Sequence, residues 1–234
     1  MDPSKTERDD LLGLYADLRV ADVRDGLDTM MLHAAGSMSP AIRPLWRTRA
    51  FGIARTCRYV AYEGPVPTMD PDAYWQWVGR YYQEVCPYPW MEDIRPGDFC
   101  VIDQGGVDAG LMGSNNSLAG VRAGARAYVT NGGVRDTDEI LLQKIPFWSA
   151  CCSQGMVQGR LRYDAKDLPV TVGGVQVSPG DVVVADGDGV IVVPRRIAAD
   201  VAKYAHAEHQ RDKAARRGLY RDLGMDLDET VRDD

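Results

Sequence analysis

The residues with the clearest chemical potential lie between Gly105 and Ile140. Within this window, Arg135 and Asp136 come shortly after a predicted strand (127–130) and two glycines. An Arg side chain can clamp a carboxylate through two hydrogen bonds, and an Asp carboxylate can bind a hard divalent cation. Because open α/β folds place their sites at strand ends, the pair predicts a site for a small anion and a metal ion. A surface ion pair, or an Asp136 that caps the helix predicted from Thr137, would fit the local spacing equally well.

A second candidate element lies earlier in the window, at residues 113–116. We predict a helix that begins here, with Ser114 or Asn115 as its N-cap, and that packs closely on a sheet through small residues up to Gly124. The start of a helix presents unpaired backbone N–H groups and a positive dipole end, which suit a carboxylate or a phosphate. A tight turn with a capping serine would give the same local pattern.

Charge and composition restrict the partners and the chemistry. The chain has 234 residues, 27 Lys plus Arg, 34 Asp plus Glu and a formal net charge of −7. This acidic balance argues against a nucleic-acid or membrane partner. Few of the 27 basic residues are lysines, and a Schiff-base mechanism therefore has few candidate residues. The lysines are Lys5, Lys144, Lys166, Lys203 and Lys213. With no CxxC pair and no apolar leader, we expect a cytoplasmic protein with free thiols and no zinc ribbon.

Strand signals surround the candidate site. Pro-Gly-Asp turns at 96–98 and 179–181 each lead into a short apolar strand that ends at an Asp, which predicts two similar strands in one β core. Asp-Gly pairs between the apolar runs of 182–193 predict a hairpin. A calcium loop is excluded there, because the EF-hand spacing would need a Glu where Ile197 stands. Residues 51–60 have the composition and alternation of another strand.

Apolar spacing predicts helices over 6–18, 20–31, 72–85 and 197–215. The helix at 72–85 is rich in Tyr and Trp, for which we favour packing in the core or between subunits over an exposed binding stripe. His206 and His209 on the last helix could ligate a metal, but the spacing is common and favours surface or packing roles. The residues after 216 are charged and are predicted to form a tail.

Taken together, these segments resemble the RraA-like family, which includes the 4-hydroxy-4-methyl-2-oxoglutarate aldolases and the regulator of RNase E activity A. The resemblance runs from about Asp22 to His209. It rests on residues 113–124, on GGVRD at 132–136 and on PGDVVVADGDGVIVVP at 179–194. It implies the α/β/β swivelling-domain fold, in which helices flank a central β core. It also implies one domain over 1–234, with an N-terminal helical segment (about 6–31) and a C-terminal helix plus charged tail (about 197–234).

The resemblance implies a divalent-metal-dependent (class II) pyruvate aldolase or lyase. Such an enzyme cleaves a 4-hydroxy-2-oxo acid to pyruvate and a carbonyl product, and the activity often extends to oxaloacetate decarboxylation. By matching positions, Asp136 would bind Mg²⁺ or Mn²⁺, mostly through waters, and Arg135 would contact the pyruvyl end of the small oxo-acid substrate. The substrate carboxylate would be received by backbone amides of Gly113, Ser114, Asn115 and Asn116.

The family also implies a site shared between subunits of a homotrimer or hexamer. The aldolases draw a Glu from the C-terminal region of the neighbouring subunit, and Glu208 is the candidate here. This chain departs from the aldolase pattern at Ser114, where an acidic residue is usual, so proton transfer would fall to water, to Asp103 or to another group, or the substrate would differ. The segment 69–91 looks longer than in short members and either covers the site or thickens an interface.

Two other functions are weighed against the lyase. The first is a non-catalytic binding protein like the RNase regulator. Such regulators tend to lack the acidic residue after the Arg, so Asp136 favours chemistry. The second is methyl transfer, which we disfavour because the glycines of the window do not form GxGxxG after a strand.

Overall fold

The computed structural model describes residues 3–232, which form a mixed α/β fold. Its elements in chain order are α1 (Pro3–Gly13), α2 (Val20–Thr29), β1 (Arg43–Pro44), β2 (Ala50–Ala61), α3 (Pro71–Glu84), a 3₁₀ turn η1 (Pro89–Asp93), β3 (Asp98–Asp103), β4 (Gly110–Met112), α4 (Ser114–Ala123), β5 (Ala125–Val134), α5 (Thr137–Leu142), β6 (Phe147–Cys152), β7 (Leu161–Lys166), β8 (Val170–Val172), β9 (Val175–Val177), β10 (Val182–Asp186), β11 (Gly189–Val193), a 3₁₀ turn η2 (Arg195–Ile197) and α6 (Ala198–Leu223).

A nine-stranded sheet forms the centre, with the order β1-β6-β5-β3-β2-β10-β11, while β4 pairs with β5 and β7 with β2. Strands β2, β3, β5 and β6 are parallel to one another. Helices cover this part of the sheet, and β3 is buried almost throughout, as expected for parallel strands. The predicted α/β/β architecture, with a central β core flanked by helices, is confirmed.

The two Pro-Gly-Asp strands flank β2 on opposite sides. Ile53 of β2 is opposite Asp98 in the parallel pair with β3 and opposite Val182 in the antiparallel pair with β10. Strands β10 and β11 form a hairpin in which Asp186 is opposite Gly189, as the Asp-Gly signal predicts. The repeated turn therefore marks two strands of one core, as expected.

Helices α2 and α6 pack closely on each other beside this hairpin. A β-carbon on Gly26 would lie 2.6 Å from the Val201 carbonyl oxygen, so only glycine allows this approach. His209 Nδ1 lies 3.0 Å from Asp22 Oδ2, and His206 Nε2 lies 2.8 Å from the Leu14 carbonyl oxygen. Both histidines therefore contact the N-terminal part of the chain, in the packing roles that we favoured.

Helix boundaries differ from the sequence prediction at both ends of the chain. Helix α1 stops at Gly13, whereas the prediction extended to residue 18. Helix α6 continues to Leu223 and ends at Gly224 in a left-handed conformation, well beyond the predicted end at 215. Within residues 3–232, no helix is both long enough and apolar enough to cross a membrane.

Candidate active site

A cleft of about 460 Å³ opens where β4 and β5 end. Four segments contribute to it: the end of α3 with the turn after it, the connection from β4 to α4, the residues after β5, and the loop after β6. The lining residues are Tyr82, Tyr88, Gly110, Leu111, Gly113, Asn115, Asn116, Arg135, Asp136 and Met156. The cleft thus brings together Arg135 and Asp136 with three of the four predicted carboxylate-binding positions.

Asp136 is held in the cleft by an uncommon backbone conformation. Its φ of 55° lies in the left-handed region, which Asp tolerates better than most residues. Although Asp136 occupies the N-cap position of α5, its side chain makes no capping hydrogen bond to that helix. Instead, Oδ2 accepts a hydrogen bond of 3.2 Å from the Ser114 backbone N–H, and Oδ1 accepts one of 3.1 Å from Arg135 Nε. The interpretation of Asp136 as a cap of its own helix is therefore wrong.

Arg135 lies beside Asp136, and both side chains are about one-third exposed, at 35% and 33%. The backbone N–H of Arg135 donates to the Met112 carbonyl oxygen over 3.0 Å, which joins the end of β5 to the end of β4. Within residues 3–232, the terminal guanidinium nitrogens of Arg135 have no protein partner. These nitrogens remain available to a ligand while Nε fixes the orientation of the Asp136 carboxylate.

Helix α4 begins one residue earlier than predicted. Its N-cap is Gly113, which has an extended backbone and no side chain to cap with, rather than Ser114 or Asn115. The Asp136 carboxylate occupies the capping role from a distant part of the sequence. Over the part of the chain described, the backbone N–H groups of Asn115 and Asn116 have no acceptor. They supply the positive helix start that was expected for a carboxylate.

Glycines give these side chains the space they need. A β-carbon on Gly110 would lie 2.7 Å from the Arg135 side chain, and one on Gly113 would lie 2.3 Å from Asp136 Oδ2. Gly132 and Gly133 lie inside β5, where β-carbons would meet neighbouring segments at 2.6–2.8 Å. Neither of these two has a positive φ. Close approach, not backbone freedom, requires glycine.

Two tyrosines and a methionine line the remaining side of the cleft: Tyr82, Tyr88 and Met156, together called the aromatic wall. None of the three was among the predicted site residues. The Tyr88 hydroxyl donates to the Leu111 carbonyl oxygen over 2.8 Å, and its ring lies 6.2 Å from the Tyr82 ring. Burial raises the pKa of Tyr88 well above its ordinary value, so the phenol stays neutral. The length of segment 69–91 was the available signal, and its end does line the cleft.

Other predicted residues lie elsewhere in this chain. Asp103 accepts hydrogen bonds from Gly105 N, Asn131 Nδ2 and Thr171 N, and it does not line the cleft. Glu208 lies on α6 and forms an ion pair with Arg211. Asp103 is thus engaged as a structural carboxylate, and the role of Glu208 in a neighbouring subunit stays a prediction.

Comparison with known proteins decides the family. The model of the RraA-like family, described as Aldolase/RraA, matches residues 20–192. The chain belongs to the RraA-like family. Among solved structures, Streptomyces coelicolor RraAS2, described as an unusual member of the RNase ES inhibitor RraA family, superposes with a TM-score of 0.69 at 26% identity, over 88% of this chain and 96% of that one. A Pseudomonas syringae protein superposes with a TM-score of 0.73 at 23% identity, over 96% and 98%, and shows the shared fold.

Several curated relatives, though not all, carry names that indicate an aldolase. A Deinococcus radiodurans protein named "Putative 4-hydroxy-4-methyl-2-oxoglutarate aldolase" is 37% identical over 98 residues, 42% of this chain and 61% of that protein. Legionella pneumophila DlpA is 33% identical over 178 residues, 74% of this chain and 26% of its own length. The matched part thus spans about three fifths of the length of the Deinococcus relative.

The donor set of the cleft fits a hard, hydrated cation. Residues 3–232 contain no cluster of three or more His, Cys, Asp or Glu side chains that could hold a metal ion. Zinc and softer metals prefer such clusters, whereas Mg²⁺ keeps several waters and takes one or two carboxylates. Asp136 fits that second type of site. Its side chain is one-third exposed, and Gly113 has no side chain that would collide with Oδ2.

Proposed function

We propose that this RraA-like protein is a divalent-metal-dependent carbon–carbon lyase that cleaves a 4-hydroxy-2-oxo acid to pyruvate and a carbonyl product. One observation carries the proposal: the Arg135–Asp136 pair faces the start of α4 in a single cleft. The aldolase names of several relatives support the same reaction class.

Asp136 is the residue that would hold the ion, Mg²⁺ or Mn²⁺, with water completing the coordination. When bound, the cation supplies Lewis-acid polarisation of the substrate's 2-oxo group. Arg135 directs its free guanidinium nitrogens at the pyruvyl end of the substrate and adds positive charge where negative charge develops. The unpaired N–H groups of Asn115 and Asn116 would receive the substrate carboxylate, with Gly113 and Ser114 completing the segment.

Water is the candidate proton acceptor for the substrate's 4-hydroxyl group. The cleft lining contains one carboxylate, Asp136, which is already hydrogen-bonded to Arg135 and Ser114. Ser114 replaces the acidic residue usual in the aldolases, and Asp103 is engaged outside the cleft. A water relayed from the open side of the cleft therefore fits better than an acid of this chain.

The test is pyruvate release, measured with a panel of 4-hydroxy-2-oxo acids and with oxaloacetate, with and without EDTA. Metal-dependent release supports the proposal, and oxaloacetate would extend it to decarboxylation. Absence of metal-dependent release from every compound would refute it.

The shared site and the assembly are proposed together. Four exposed apolar residues lie on α4 and α5 close to the cleft, and a neighbouring subunit of a homotrimer or hexamer would cover them: Leu118, Val121, Leu141 and Leu142. Glu208 of such a neighbour is the proposed extra acid. Light scattering coupled to size-exclusion chromatography measures the assembly, and a monomer at micromolar concentration would contradict it.

The alternative is a non-catalytic binding protein like the RNase regulators. The fold similarity to the Streptomyces RNase ES inhibitor relative favours it. In that case the apolar residues of α4 and α5 would bind a nuclease. Stoichiometric capture of a purified RNase E-type nuclease, together with no metal in the site, would select this alternative over the lyase.

A further inference from the structure

The aromatic wall of Tyr82, Tyr88 and Met156 gives the cleft a strongly uneven charge distribution. Arg135 is the one cation among the lining residues, and Asp136 is the one anion. Arg160 is near the wall but is not among the lining residues; its Nη1 donates to the carbonyl oxygens of Met156 and Gln158. The other residues with which this chain lines the cleft are uncharged.

This distribution has consequences for a substrate with two carboxylates. The name of the relatives refers to a 2-oxoglutarate derivative, which carries a carboxylate at each end. Arg135 and the start of α4 are used by the pyruvyl end, so a second carboxylate would lie against tyrosine rings and a thioether. Placing an unpaired carboxylate in such surroundings is unfavourable, whereas an apolar group gains from burial there.

Tyr82 and Tyr88 also have the geometry to hold a ring. Their ring centroids are 6.2 Å apart at an interplanar angle of 33°, and Tyr88 is fixed by its bond to the Leu111 carbonyl oxygen. Tyr82 has no hydrogen-bond partner within residues 3–232, so its phenol edge is free to contact a ligand. Met156 adds a polarisable sulfur, which packs favourably on aromatic rings.

We propose that the cleft selects 4-hydroxy-2-oxo acids whose fourth carbon carries an uncharged aromatic group. This inference rests on the proposed lyase function and adds its substrate class, with Tyr82 as the specificity-determining residue. In the reaction, the C3–C4 bond breaks and the 4-hydroxyl loses its proton, which leaves an aromatic aldehyde. The electron pair remains on C3, which takes up a proton to give pyruvate, so no oxidant or reductant is consumed.

Two inert ligands test the selection without turnover. 2-Oxo-4-phenylbutanoate and 2-oxoglutarate share carbons 1–4. The fourth carbon carries a phenyl group in the first compound and a carboxylate in the second. With Mg²⁺ present, calorimetry should show at least about tenfold tighter binding of the phenyl compound. Equal or tighter binding of 2-oxoglutarate would overturn the inference. Binding of neither compound would also overturn the inference, whereas the lyase function itself is tested by pyruvate release.

Variants assign the effect to the wall. Tyr82→Lys adds a cation and should reduce the preference for the phenyl compound at least about tenfold, whereas Tyr82→Phe keeps the ring and should preserve it. Met156→Lys is a second charged variant if Tyr82→Lys unfolds at a lower temperature. An unchanged preference in folded Tyr82→Lys and Met156→Lys proteins would overturn the inference.

Turnover distinguishes a wrong substrate preference from a wrong lyase function. Pyruvate release should be faster from 4-hydroxy-2-oxo-4-phenylbutanoate than from 4-hydroxy-4-methyl-2-oxoglutarate. The reverse order would overturn the aromatic preference and leave the lyase standing. No release from either compound or from the wider panel, with the phenyl preference intact in calorimetry, would refute the lyase and leave the binding specificity.

Discussion

Gly113 and Asp136 fit together so closely that residue 113 cannot carry a side chain without moving the carboxylate. A β-carbon at position 113 would lie 2.3 Å from Asp136 Oδ2, far inside van der Waals contact. The backbone of Gly113 has φ −137°, which any residue can adopt. The glycine is therefore required by the carboxylate and not by the chain conformation.

Gly113→Ala should displace the Asp136 carboxylate and remove most activity. Because a misplacement of about 1 Å in a catalytic constellation can cost about 100-fold in rate, we expect kcat/KM to fall by about that factor. Steady-state pyruvate release measures it, and thermal unfolding checks the fold. The matched control is Gly79→Ala, on an exposed helical position with no atom within 4 Å of the added carbon. Wild-type activity in Gly113→Ala would show that the carboxylate position is unimportant.

The sequence predicted the elements that depend on local signals. The hairpin of β10 and β11 follows from Asp-Gly, and the two similar strands follow from the repeated Pro-Gly-Asp turns. The start of α4 could not be predicted correctly, because its first N–H is capped by Asp136, 22 positions away. The length of α6 was underestimated because its charged end resembles a tail, although Arg216 and Asp212 pair one turn apart there.

The candidate site was also predicted only where its residues have a local signal in the sequence. Arg135 and Asp136 are adjacent in sequence and follow a strand, so their position at its end could be deduced locally. Tyr82 and Tyr88 enter the cleft only because α3 and the following turn fold over β4, which the pattern of aromatic residues does not specify. Their tertiary contacts, above all Tyr88 with Leu111, carry that information.

Asp136→Asn should weaken metal binding while leaving the fold intact. Asn has nearly the same shape and also tolerates the left-handed φ of 55°, so the change removes the charge and one of the two oxygen acceptors while the backbone stays as it is. We expect Mn²⁺ affinity to fall by at least about tenfold and pyruvate release by at least about 100-fold. Mn²⁺ binding is measured by electron paramagnetic resonance. Asp138→Asn, an exposed change two residues further along, is the control. Unchanged Mn²⁺ affinity would remove Asp136 from its proposed role.

Arg135→Lys should weaken substrate binding while leaving the fold intact. Lysine keeps the charge but loses the planar fork, which holds Asp136 through Nε and leaves the other nitrogens able to bind a carboxylate. We expect KM for the oxo acid to rise about tenfold, with a smaller fall in kcat. Initial-rate kinetics on the variant and on the exposed control Arg80→Lys provide the measurement. A KM equal to that of the wild type would argue that Arg135 does not contact the substrate.

Asp22 links α2 to α6, and its charge should make stability depend on acid pH. Asp22 is 1% exposed; Oδ1 and Oδ2 accept hydrogen bonds from Arg19, and Oδ2 lies 3.0 Å from His209 Nδ1. Burial raises the pKa of Asp22, but the hydrogen bonds from Arg19 and the nearby positive charge outweigh it, so the pKa lies below its ordinary 3.8. A carboxyl whose pKa is lowered by folding stabilises the protein above its unfolded pKa. That stability is lost as the pH falls through the folded pKa.

Asp22→Asn should therefore destabilise the protein by about 2 kcal/mol at pH 7, because charge-assisted hydrogen bonds are lost. The difference in unfolding free energy between wild type and variant should shrink as the pH falls below 3.8, where the wild-type carboxyl also becomes neutral. Urea unfolding at a series of pH values measures both effects, with the exposed Asp200→Asn as the control for a general loss of charge. A difference that stays constant from pH 7 to pH 2 would show that the Asp22 charge contributes nothing to the contact between α2 and α6.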